Sequence, residues 1–216
     1  MTIGRVVQMG DSCAAVQFGS AIDASVNARC IALAASLEAR ALAGVRDVVA
    51  TYNAVTVHFD PLRTDGPTLY AALESAARND AITPHLDART VEIPVKYGGE
   101  HGPDLADVAK FAQCSEAEAV HLHTSMVYRV YMLGFLPGFA YMGSVHARIA
   151  MPRLDTPRLR VEAGSVGIAG AQTGIYPVDS PGGWRIVGRT SVKLFDSSST
   201  EPFLLKAGDH VKFIAV

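Results

Sequence analysis

His121 and His123 stand two residues apart, a spacing that invites a metal site. On a strand the two rings would share a face; on a helix, residues two apart face different ways. Ser115-Glu116-Ala117-Glu118 lies just upstream, with Ser at an N-cap and Glu three residues on as in a capping box. The pair is therefore read as helical, and no metal site is expected within this chain. His123 alone keeps two readings. Its unperturbed pKa of about 6.5 suits a hydrogen-bond donor or general acid–base, and a satisfied, partly buried histidine fits the same position.

The run from Gly164 to Gly174, GSVGIAGAQTG, invites a nucleotide. It lacks the Lys-Ser/Thr that reaches the phosphates in a P-loop, and no strand-to-helix GxG marks a dinucleotide fingerprint. Its glycines serve either barrel corners and positive φ or the close approach of a ligand to backbone amides; the spacing favours the first. No GxSxG elbow is present, and Asp179-Ser180-Pro181-Gly182 reads as an exposed turn. Cys114 precedes a helix start, where a thiol can be activated, but its loop position favours an inert one. Arg153 and Arg158 repeat a Pro-Arg dipeptide, and arginine forks suit carboxylate or phosphate oxygens. Trp184, the only tryptophan, reads as a core plug.

The elements that must position these groups fall into two halves. Arg5–Gln8 and Cys13–Phe18 flank a Gly10-Asp11 turn and predict a hairpin. Val26, Cys30, Leu33, Leu37 and Ala41 recur at helical spacing, with Gly44 as the expected C′ glycine. Strands are expected over Val45–Tyr52 and Ala54–Phe59, then a helix opened by Pro67. This ββαββα order, with Val91–Val95 as a further strand, predicts helices on an antiparallel sheet. Thr83-Pro84-His85 reads as a linker, which gives domains at 1–86 and 87–216. Helices are expected after Gly102-Pro103-Asp104 and after Ser115. Beyond Tyr128 helical periodicity vanishes, and ten of the 19 glycines lie between Gly134 and Gly188. Short runs such as Val166–Ala169, Arg185–Val187, Val192–Phe195 and Val211–Val216 then imply a closed β structure.

Composition excludes several classes. With 216 residues, 49% hydrophobic and 19% charged, the chain is a folded protein of one or two domains. A formal charge of −2 with dispersed signs argues against a nucleic-acid binder and a polybasic membrane anchor. The longest uncharged stretch, Val130–Val145, is broken by Pro137 and three glycines and falls short of the ~20 apolar residues of a membrane span. Three cysteines without a CxxC pair suggest no disulfide framework, and Met1–Ser12 carries no signal-peptide core. A cytoplasmic protein is expected.

Taken in order, longer blocks are specific: Tyr97–Leu105 (YGGEHGPDL), His123-Thr124, Tyr131–Gly143 (YMLGFLPGFAYMG), Pro152-Arg153, Pro157-Arg158, Gly164–Pro177 and Ser180–Thr190 (SPGGWRIVGRT). Through essentially its whole length the chain resembles the allophanate hydrolase subunit 1, or KipI, family, whose bacterial members include the B subunit of 5-oxoprolinase. The resemblance implies an α+β chain: a small ferredoxin-like N-terminal domain followed by a cyclophilin-like β-barrel. It also implies two partners, the C subunit of 5-oxoprolinase (an allophanate hydrolase subunit 2 homologue) and the A subunit. The complex they resemble opens 5-oxo-L-proline to L-glutamate with ATP. The ATP is then expected to bind in the complex rather than to this chain alone.

Family position and residue chemistry together suggest His123 for proton transfer, Gln172 and the glycine amides for oxyanion contacts, and Tyr176 for orientation. Arg153, Arg158, Gly164, Ser165, Gly170, Trp184 and Arg189 are the expected substrate- or anion-binding residues. Two other functions fit the resemblance: a KipI-type inhibitor of a sensor histidine kinase, and a carboxyltransferase-type component of allophanate hydrolase or urea carboxylase.

Overall fold

A computed structural model describes residues 4–78 and 88–216. They belong to two compact units divided at 87/88; the expected linker and the 86/87 boundary lie outside the described residues.

The first unit runs β1 (Arg5–Gln8), β2 (Cys13–Gln17), α1 (Ala24–Ala39), β3 (Val45–Ala50), β4 (Ala54–Phe59) and α2 (Gly66–Arg78). Its antiparallel sheet has the order β1-β2-β4-β3. From β2 onward the chain follows a ferredoxin-like βαββα run, and β1 fills the place of the missing last strand. Helix α1 packs on β3 and β4, and α2 on β1 and β2. Cys30, Leu33 and Leu37 of α1 and Leu69, Leu73 and Ala76 of α2 are buried against Val16, Val55, Val57 and Phe59. Burial pushes the Cys30 thiol up to about 12, so it packs as a small apolar side chain.

Two boundaries differ from the sequence reading. The amides of Arg40 and Ala41 bond back to Leu37 and Glu38, tightening the last turn of α1. Ala41 then takes the left-handed φ of 44°, so Gly44 is not the cap. Gly44 is instead required by a close approach, since a Cβ there would lie 2.1 Å from Thr64 Oγ1. Helix α2 starts at Gly66, with the Asp65 carboxylate accepting from the Thr68 amide at 3.2 Å, so Pro67 is its second residue.

The second unit contains β5 (Thr90–Tyr97), α3 (Leu105–Phe111), α4 (Glu116–Thr124), β6 (Val127–Leu133), β7 (Ala140–Gly143), β8 (Arg158–Val161), β9 (Ser165–Ala169), β10 (Gln172–Ile175), β11 (Ser180–Gly182), β12 (Arg185–Arg189) and β13 (His210–Ala215). Seven strands close into a barrel in the order β10-β7-β6-β13-β5-β12-β9, while β8 and β11 pair as a separate ribbon. Closure leaves the ring no unpaired edge. Alternate residues fill the core, among them Ile93 and Val95, Tyr128 and Val130, Val166 and Ile168, and Val211 and Phe213. The chain is thus an α+β protein with the barrel in its second half.

Val91–Val95 does not extend the first sheet. Strand β5 pairs in parallel with β13, from Thr90 opposite His210 to Val95 opposite Ala215, and belongs to the barrel. Val192–Phe195 is not a strand either: the Val192 amide bonds Thr190 Oγ1, and the only ladder contact is an isolated Phe195–Phe203 bridge. Helix α4 starts as read, the Ser115 hydroxyl accepting from the Glu118 amide at 3.1 Å. His121 is exposed and His123 buried, so they face different ways.

Candidate functional site

The loop from Gly98 to Asp104 is tied to β12 by its glycines and one carboxylate. Gly98 (φ 69°) donates to the Val187 carbonyl at 3.1 Å, and a Cβ on Gly102 would lie 2.0 Å from that same oxygen. Asp104 pairs with Ile186 as a strand residue would. Its amide donates to the Ile186 carbonyl at 2.9 Å, and its Oδ2 accepts from the Ile186 amide at 2.7 Å. Asp104 Oδ1 accepts from Arg158 Nη2 at 2.7 Å, and the carboxylate is buried. This charge-assisted clamp fixes the loop that carries His101.

His101 borders two adjoining depressions. The larger is a cleft of about 680 Å³ whose walls include Lys96, Gly164, Arg189, Thr190 and Lys193. The smaller is a recess of about 220 Å³ walled by Glu100, Arg158, Arg160, Glu162, Ser165 and Ile186. Both are also lined by Arg189, so His101 and Arg189 form their common border. The Arg189 side chain is held by the Glu162 carboxylate and by an Nε bond to the Ala163 carbonyl at 3.3 Å. Gly164 (φ 82°) is fixed by the cleft wall itself: a Cβ there would lie 2.1 Å from the Thr190 carbonyl oxygen.

The structure brings Arg158, Gly164, Ser165 and Arg189 to this border. It puts His123 elsewhere. The His123 ring reaches from α4 between opposite walls of the barrel, 2.8 Å from Tyr97 Oη at Nδ1 and 3.0 Å from Thr173 Oγ1 at Nε2. Thr173 donates its single hydroxyl proton to the Gly167 carbonyl at 3.0 Å. Nε2 must therefore carry the imidazole proton and donate to Thr173, while Nδ1 accepts from Tyr97. The ring stacks on Phe213 with centroids 4.7 Å apart, and burial pulls its pKa down to about 3. A neutral ring with both nitrogens engaged inside the core lines neither depression. The satisfied buried histidine is the reading the structure supports, and proton transfer at the cleft must be sought in another group.

The remaining candidates also lie apart. Tyr176 is buried edge-on against Phe139, with its hydroxyl against Gly182. Trp184 joins the same aromatic cluster, 5.4 Å from Phe139. Gln172 opens β10 opposite Gly143 and Ala169, Gly170 (φ 58°) turns the β9–β10 hairpin, and Arg153 is exposed; none of them lines either depression. The glycine amides proposed for oxyanion contacts are engaged at two positions, Gly164 with the Tyr176 carbonyl at 2.7 Å and Gly170 with the Met151 carbonyl at 2.8 Å. They stabilise the barrel and are not free donors. Sequence reasoning missed His101, Lys96 and Lys193; His101 sits inside the quoted Tyr97–Leu105 block, which was its one signal.

A closed barrel preceded by an α+β unit agrees with the comparisons to known proteins. The chain belongs to the allophanate hydrolase subunit 1 (KipI) family, and the family described as "Carboxyltransferase domain, subdomain C and D" matches residues 4–205. It is 41% identical to the B subunit of 5-oxoprolinase from Bacillus subtilis (strain 168), over 98% of this chain and 92% of that protein. The crystal structure of TTHA0988 superposes with a TM-score of 0.83 at 38% identity over 94% of this chain; the chain spans 40% of TTHA0988. K. lactis urea amidolyase, 20% identical with a TM-score of 0.77 over 99% of this chain and 15% of its own length, shares the fold.

Proposed function

We propose that this chain is the B subunit of an ATP-dependent 5-oxoprolinase, working with the A and C subunits to hydrolyse 5-oxo-L-proline to L-glutamate. The observation that carries this reading is the near full-length likeness to a 5-oxoprolinase B subunit at 41% identity. The cleft supplies chemistry that suits it. A lactam is a resonance-stabilised amide. Phosphorylation of its oxygen by ATP makes the ring carbon electrophilic; one water then opens the ring to an acyl phosphate, and a second releases phosphate. Each stage puts negative charge on oxygen, and fixed cationic donors stabilise such charge as it develops. Arg189, held by Glu162, is the fixed cation here; Lys96 and Lys193, the latter paired with Asp196 at 2.7 Å, add positive charge to the same walls. His101, on the border of the cleft, is the group placed to exchange a proton with the ring nitrogen or with water. No P-loop occurs in the sequence, so in this reading the nucleotide is held by the assembled complex.

The test is reconstitution. Co-purified with homologues of the A and C subunits, the chain should support ATP-dependent glutamate release from 5-oxo-L-proline, and omitting it should lower turnover at least tenfold. A complex that turns over equally well without the chain would overturn the proposal. Slowed autophosphorylation of a sensor histidine kinase, with no lactam opening by the complex, would favour the inhibitor reading instead.

A further inference from the structure

We propose that the 220 Å³ recess beside the cleft is a binding site for a small carboxylate, held by Arg158, Arg189 and His101. Three observations converge on it. Arg158 is anchored through Nη2 to Asp104, while its Nη1 is shielded from solvent and has no hydrogen-bond partner. His101 lines the same recess, and its Nδ1 is likewise shielded and unpartnered. Buried polar atoms almost always find a partner, and a pair of exceptions on one small recess calls for a ligand.

The third observation identifies the chemistry. A carboxylate already pairs with Arg189 at the edge of the recess: Glu162 lies on its wall, with its side chain half exposed. Glu162 is thus a stand-in that can swing to solvent when a ligand carboxylate takes its place on Arg189. Arg160 does not compete for the ligand, because both its Nε and Nη2 bond Asp179, at 3.0 and 2.7 Å. Arg158 is preorganised, since its anchor Asp104 is itself fixed to the Ile186 amide. Because His101 and Arg189 also border the cleft, a ligand seated by its carboxylate presents the rest of its body there. Naming that ligand as 5-oxo-L-proline rests on the proposed function; the carboxylate site does not.

The experiment titrates the full chain with 5-oxo-L-proline and, separately, inorganic phosphate, following backbone amide resonances of the 98–104, 158–165 and 185–190 segments. Saturable shifts confined to these segments are expected with 5-oxo-L-proline. His101→Ala should weaken the affinity at least fivefold. Glu162→Gln, which removes the competing carboxylate, should tighten it severalfold, a result that a merely structural role for Glu162 would not produce. Binding of phosphate alone, tightened by Glu162→Gln, would keep an oxyanion site but overturn its carboxylate assignment. Absence of saturable shifts, or affinity unchanged or weakened in Glu162→Gln, would overturn the site. Glutamate release by the reconstituted complex together with an empty recess would reject this inference and leave the proposed function standing.

Discussion

Replacing His123 by alanine is expected to destabilise the barrel by about 4 kcal/mol at pH 7.5. The substitution opens a cavity against Phe213 and Tyr128. It also strands the Tyr97 hydroxyl and removes the donor to Thr173, breaking a chain that runs Tyr97, His123, Thr173, Gly167 across the barrel. Trp184, the only tryptophan, lies in the barrel unit, so its fluorescence in urea reports that unit's unfolding.

The effect has a pH signature. Folded, the ring stays neutral down to about pH 3; unfolded, it protonates near its ordinary pKa of about 6.5. Below that pH the unfolded chain takes up the extra proton, so the stability tied to this residue is complete above about 6.5 and is lost progressively as pH falls toward 3. The gap between wild type and His123→Ala should therefore shrink by about 1.4 kcal/mol per pH unit below 6.5. A gap that stays constant between pH 7.5 and 5 would show that His123 protonates in the fold as readily as in the unfolded chain.

Asp104→Ala is expected to cost about 3 kcal/mol. The carboxylate satisfies the Ile186 amide and neutralises Arg158, both in poorly solvated surroundings. Removing it leaves a guanidinium without its counter-charge and an amide without an acceptor, so the loop bearing His101 should loosen, held to β12 only by its backbone bonds to Val187 and Ile186. Because most of the penalty is the uncompensated charge, Arg158→Met added to Asp104→Ala should recover part of the loss. Equal or greater destabilisation in the double variant, measured in urea, would mean that the pair is not the clamp.

Local signals in the sequence were strong where structure is local. The Gly10-Asp11 hairpin, the stripe from Val26 to Leu37 and the Ser115 cap each depend on neighbours within a turn or two. The parallel pairing of β5 with β13 joins residues more than a hundred positions apart, and no local pattern encodes it. Val91–Val95 therefore read as a strand of the wrong sheet. Arg158, Gly164, Ser165 and Arg189 stood out through family position together with residue chemistry, and the structure gathers them. His123 stood out for the same kind of reason, but whether an imidazole meets water or a barrel core depends on which walls close around it. His101 had the opposite problem: nothing in a glycine-rich loop marks a side chain as positioned until Asp104 is seen locked to Ile186.

The proposed chemistry sits at the border of the cleft and recess, outside the barrel core, and Arg189 is the residue both depressions share with His101. Arg189→Met tests this most directly. In the reconstituted complex it should lower ATP-dependent glutamate release at least tenfold, about 1.4 kcal/mol of transition-state stabilisation, with the Trp184-reported urea transition unchanged. Turnover within twofold of wild type, at that same unchanged stability, would contradict it.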